Sequence, residues 1–148
     1  MTQGERGEWC ALVLRLVVGP IFVAQGYRKV FAHSDAPHGR DELEATLRRV
    51  GVPRPSGLAR ATGYMELGGG GCVLVGLGSR LAVVPLLGIL GVAISMVKWR
   101  QGFLGGWDWP YSVAGAAIGV LVLGDGRCSL GAGLRVRCRR GVSAAWGR

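Results

Sequence analysis

The chain has 148 residues, enough for one domain, of which 49% are hydrophobic and 18% charged, with a mean hydropathy of +0.33. The charged fraction falls below the roughly 25% of a typical soluble domain, and the charges are confined between apolar blocks, which excludes an ordinary soluble protein and points to several membrane passes. The net charge of +9 would raise nucleic acid as a partner of a soluble protein, but here the arginines lie between and after the apolar blocks, where they suit anionic headgroups, so nucleic acid is not expected.

Residues 1–8 read as an N-terminal tail. The first apolar run extends from about Trp9 to Phe31, with Trp9 at one end and Tyr27, Arg28 and Lys29 near the other. These residue types settle at headgroup level. No small-x-small cleavage site follows, so the run reads as a retained helix rather than a removed signal peptide. Gly19-Pro20 predicts a kink that neighbouring helices accommodate, and Arg15 and Gln25 make the run more than a lipid-facing anchor.

A polar segment from Ala32 to Pro55 contains a short amphipathic helix over Asp41–Val50. Asp41 and Glu44 stand in a capping-box-like arrangement, and Arg48 and Arg49 suit the negative end of the helix dipole. Leu43, Leu47 and Val50 share one face, and Gly51 and Pro53 stop the helix. The segment reads as a connecting helix on the membrane surface.

The second span covers about 58–77 and carries Thr62, Glu66 and the run Gly68–Gly71. That run lacks the Gly-Lys-Ser/Thr ending of a phosphate loop and reads as a close-packing face. The third span covers about 81–97. The short turn before it, ending at Arg80, makes the second and third helices antiparallel neighbours. Trp99, Trp107 and Trp109 then read as interfacial anchors, with Asp108 in reach of Lys98 or Arg100. The fourth span covers about 107–123, and its Gly115-x-x-x-Gly119 permits close approach by another helix. The third and fourth runs are short against the ~20 residues a span needs. From 125 to 148 the chain is a basic, flexible tail.

The expected fold is therefore all-α: an antiparallel bundle of four transmembrane helices over a membrane domain of 9–124, with an interfacial helix between the first and second. Four spans put both termini on one side, and the Lys and Arg count does not settle which side that is.

Two charges lie well inside spans, Arg15 and Glu66. Counted from the terminal side at 1.5 Å per residue, Arg15 lies roughly 9 Å deep and Glu66 roughly 16 Å deep, so their side chains could meet across the first two helices. The pair reads either as an ion pair fixing helix register or as a polar pocket for a headgroup, a quinone or a proton. Gln25 and Thr62 join it as a small polar cavity or as a plain interhelical hydrogen bond. His33, His38, Asp35 and Asp41 converge too little for a metal site, and no metal ligand set is expected. Cys10, Cys72, Cys128 and Cys138 form no Cys-x-x-Cys pair, and Cys10 and Cys72 behave as small hydrophobes in or beside apolar runs.

Several pieces resemble one family. Arg15-Leu16-x-x-Gly19-Pro20-Ile21-Phe22 is followed by Gln25-Gly26-Tyr27-Arg28-Lys29-Val30-Phe31, and then by Gly51-Val52-Pro53-x-Pro55. Gly63-x-x-Glu66-x-Gly68-Gly69, Gly76-Leu77-x-Ser79-Arg80 and Gly102-Phe103 come next, with Gly105-Gly106-Trp107-Asp108-Trp109 and Gly124-Asp125-Gly126-x-x-Ser129-Leu130 after them. Their order and spacing resemble the DoxX family of small bacterial membrane proteins, which often has His where Gln25 stands. The resemblance implies a four-helix bundle in the bacterial plasma membrane with cytoplasmic termini. It also implies an association with membrane redox and sulfur metabolism: thiosulfate oxidation with quinone as acceptor, or scaffolding of soluble enzymes of oxidative stress and thiol balance.

The favoured function is thus a membrane partner for a redox, sulfur-metabolism or oxidative-stress enzyme complex, not catalytic on its own, because no residue set inside the spans can hold electrons. A quinone-interacting oxidoreductase subunit and a small-molecule or lipid carrier are the alternatives. The partners to consider are the bilayer, soluble redox or sulfurtransferase enzymes, and a second copy of the chain in a homo-oligomer. No catalytic residue is assigned.

Overall fold

The computed structural model describes residues 2–31, 39–99, 102–126 and 129–131, and among these every regular element is helical. Helix α1 spans Gln3–Phe31, α2 Arg40–Arg49, α3 Pro55–Val75, α4 Ser79–Val92 and α5 Asp108–Leu123.

Helix α1 begins six residues before the expected Trp9, because a capping box formed by Thr2 and Glu5 starts it. Glu5 N–H donates to Thr2 Oγ1 at 3.4 Å, and Thr2 N–H donates to Glu5 Oε2 at 2.7 Å. The box expected at Asp41 and Glu44 does not form. Helix α2 starts at Arg40 with Gly39 as its N-cap and no side-chain cap bond, and Glu44 instead accepts from Arg48 one turn on at 2.6 Å.

The end of α3 explains the short turn. Gly76 adopts φ 72°, a left-handed conformation without penalty for glycine. Leu77 N–H then reaches the Cys72 carbonyl at 2.9 Å and Gly76 N–H the Val73 carbonyl at 3.2 Å, completing a Schellman motif. Three residues later α4 is under way. It ends earlier than 97 because a π-helical turn, Ala93–Lys98, takes over. Before α5, Leu104 is extended and Gly105 left-handed (φ 78°), so the helix cannot reach back beyond Asp108.

Helix α1 packs against α3 and α5, and α4 packs against the same two helices. Val18, Phe22, Val73, Val83, Leu86, Leu90, Val113, Ala117 and Val120 form the core between them. Much apolar bulk faces outward: Leu81, Val122, Tyr64 and Ile118 are exposed, whereas Arg15, Glu66 and Ser79 are buried. Polar groups inside and apolar ones outside suit a lipid surround.

Among the described residues one helix, Gly4–Phe31, is both long and apolar enough to cross a membrane. Helix α3 has 21 residues, but its glycines, Arg60 and Glu66 dilute its apolarity. Helices α4 and α5, with 14 and 16 residues, fall short of the ~20 of a simple span.

Candidate functional site

The register between α1 and α3 is set by glycines. A Cβ on Gly19 would lie 2.8 Å from the Leu74 Cβ, and one on Gly26 would lie 2.7 Å from the Gly63 carbonyl oxygen. Continuing that register carries Arg15 past the end of α3. It brings Glu66 instead to the turn of α1 that holds Gly26 and Lys29.

Glu66 accordingly pairs with Lys29, not with Arg15. Lys29 Nζ donates to both carboxylate oxygens at 2.6 Å, and the two side chains are 11% and 4% exposed. The expected Arg15–Glu66 contact fails because Arg15 stands 14 positions before Lys29, or about 21 Å along the helix. Lys29, read from the sequence as a headgroup anchor, turns inward. Its signal was the short distance to Gly26, whose missing side chain lets α3 come close.

Arg15 has other work. Buried at 2% exposure, it donates from Nε to the Val73 carbonyl at 3.1 Å, from Nη2 to the Leu74 carbonyl at 3.3 Å, and from Nη1 to the Asp125 carbonyl. The first two belong to the last turn of α3, where carbonyls with acceptor capacity left over and the negative end of the helix dipole favour a cation. Ser79 N–H donates to Asp125 Oδ1 at 2.6 Å, Gly131 N–H to the Gly76 carbonyl at 3.1 Å, and Arg80 Nη2 to the Val122 carbonyl at 2.9 Å. The described part of the expected tail is therefore docked over the α3–α4 turn. Arg15→Met is expected to destabilise the protein by about 2 kcal/mol, the scale of hydrogen bonds to a charged donor, as measured by thermal unfolding in detergent.

Gln25, Thr62 and Glu66 do come together. With Lys29 they line one cavity of about 1060 Å³, from which Arg15 is absent. Its lining is mostly apolar, with Phe22 of α1, Leu58 and Met65 of α3, Pro85, Ile89 and Leu90 of α4 and Pro110 of α5. Leu43 and Leu47 of α2 and its C-cap Val50 border one side, the apolar face expected to lie on the membrane surface. Among the described residues no hydrogen bond engages the side chains of Gln25 or Thr62. A large apolar cavity with a few polar groups at one place is the usual form of a small-molecule site.

The tryptophans divide. Trp99 stacks on Trp107 at 5.7 Å, with Phe103 edge-on to Trp107 at 4.7 Å, whereas Trp109 and Asp108 line the cavity. The Gly115-x-x-x-Gly119 pair divides too. Gly119 meets Leu14 of α1, and nothing lies near Gly115. Cys10 and Cys72 are free thiols. Among the described residues no group of three or more His, Cys, Asp or Glu is placed to hold a metal ion. His33, Asp35, His38, Arg100, Cys128 and Cys138 lie outside the described residues, as does the side chain of Lys98.

Comparison with known proteins adds two findings. The DoxX family model matches residues 10–99. An uncharacterized membrane protein of Mycobacterium tuberculosis is 35% identical over 103 residues, covering 67% of this chain and 60% of that relative's length. No solved structure matches the chain.

Proposed function

The chain belongs to the DoxX family of membrane proteins, and from that premise we propose that it holds a long apolar small molecule with a hydrogen-bonding end, in the cavity lined by Gln25, Lys29, Thr62 and Glu66. The single observation that carries this reading is the combination of volume and chemistry. About 1060 Å³ of mostly apolar space, half open to its surroundings, is lined by a buried ion pair and two uncommitted polar side chains. Such a site suits an amphiphile: the chain lies against the apolar walls and the polar end meets the four named residues.

In this reading α1, α3, α4 and α5 are four antiparallel spans in the bacterial plasma membrane, with both termini cytoplasmic as the family resemblance implies. The short α4 and α5 cross with help from the helical turns that flank them. Helix α2 lies at the opposite interface and roofs the cavity. A quinone is one ligand of the required form. The protein is then a non-catalytic membrane partner that presents its ligand to a redox, sulfur-metabolism or oxidative-stress enzyme complex.

The test is purification in a mild detergent, followed by extraction and mass spectrometry of bound small molecules. An amphiphile near one equivalent is expected. Gly88→Phe should remove it, because Gly88 borders the cavity with open space where its Cβ would stand. Equal amphiphile in wild type and Gly88→Phe would show ordinary detergent-belt lipid and end the reading. Soluble enzymes in the same preparation would identify the complex served.

A further inference from the structure

The charges around the cavity say which polar end it accepts. Its lining carries two cations, Arg28 and Lys29, against three carboxylates, Glu42, Glu66 and Asp108. The ammonium that reaches inside is already engaged at 2.6 Å by both oxygens of Glu66. Arg28 and Glu42 are both exposed, and the less exposed charges of the lining are Lys29, Glu66 and Asp108.

We infer that the cavity discriminates by head charge: it takes amphiphiles with a neutral hydrogen-bonding head and rejects anionic ones, with Glu66 as the specificity-determining residue. This rests on the ligand-binding reading above. An acidic head could gain an ion pair only by drawing Lys29 away from Glu66. That would leave a carboxylate 4% exposed in an apolar surround without its counter-ion, and an unpaired buried charge costs more than the new contact returns. A neutral carbonyl or hydroxyl asks for no such exchange. It can accept from Gln25, or from the Lys29 ammonium, whose two bonds to Glu66 leave a third hydrogen, and it can donate to Thr62.

The experiment uses the full chain in a mild detergent, with hexadecanol and hexadecane sulfonate as radiolabelled probes of equal chain length. The sulfonate stays anionic at any working pH. Specific retention is the amount held by wild type above that held by Gly88→Phe. Wild type should retain the alcohol at least about tenfold better than the sulfonate, a modest 1.4 kcal/mol of discrimination. Glu66→Gln should reverse the order, because it uncovers the Lys29 ammonium while keeping the side-chain volume. Equal retention of both probes by wild type overturns the head-charge inference and leaves the cavity reading standing. Retention of neither probe above Gly88→Phe removes the cavity reading itself. If Glu66→Gln does not fold, the wild-type comparison alone decides.

Discussion

Lys29→Met is expected to lower the unfolding free energy in mixed micelles by about 3–5 kcal/mol, the scale seen when one partner of a buried ion pair is removed. The cost follows from where Glu66 sits. It is in the middle of α3, 3% exposed, and among the described residues its carboxylate's hydrogen bonds run to Lys29 alone. Without the ammonium, the carboxylate must stay charged in an apolar surround or take up a proton, and either costs stability. The converse change should cost less. Lys29 lies two residues from the end of α1, and its long side chain can swing towards the headgroups when Glu66 is lost and no anionic head occupies the cavity. Lys29→Met combined with Glu66→Leu should return to within about 1 kcal/mol of wild type, because replacing both members of a buried pair by apolar groups of similar size is often neutral. The double-mutant cycle gives the coupling directly. A single Lys29→Met protein as stable as wild type would show that the pair does not form in the detergent-solubilised protein.

The sequence allowed the class of the fold to be read because apolar blocks and glycine or proline stops are local signals. Helices α1, α2, α3 and α5 lie within a few residues of the expected runs, apart from the start of α1. There the box formed by Thr2 and Glu5 precedes any apolar periodicity, so Trp9 marks the start of the apolar run and not of the helix. Depth along each helix, counted inward from Trp9 and Leu77, would bring Arg15 level with Glu66 only if the two helices were flush at the terminal side, and their relative height depends on something else. It depends on which glycines interlock, a property of the pair that neither helix displays alone.

The candidate site was half legible for the same reason. Gln25, Thr62 and Glu66 stand out as polar residues in apolar runs, and all three line the cavity. Lys29 does not stand out, because a lysine near a helix end is ordinary at a headgroup boundary. Only the contact at Gly26 shows that it turns inward. Helix α2 was legible as an amphipathic helix, but its apolar face could equally meet lipid or protein. The structure turns Leu43, Leu47 and Val50 to the cavity, which makes α2 part of the site rather than a connector beside it.

Glycine interlocking also yields the other large expected effect. Gly26→Ala should destabilise the protein by about 3 kcal/mol, at the upper end of overpacking costs, because the obstruction is backbone. The new Cβ would press on the Leu67 N–H and come within 2.7 Å of both the Gly63 carbonyl oxygen and the Leu67 Cα, so no rotamer change relieves it. The helices must part, and parting them pulls Lys29 away from Glu66. Gly70→Ala should act similarly, since its Cβ would meet Phe22 Cβ and Val23 N at 2.8 Å. The neighbouring Gly71→Ala meets nothing within 4 Å and should stabilise by about 0.5–1 kcal/mol through helix propensity alone. Thermal unfolding of the three variants in one detergent separates the cases: losses at Gly26 and Gly70 with a gain at Gly71 match the α1–α3 register described. Equal effects at all three would mean that these glycines serve flexibility rather than contact. The assignment of Lys29 as the partner of Glu66 would then lose its geometric basis, because it is this close approach that brings the two residues to one height.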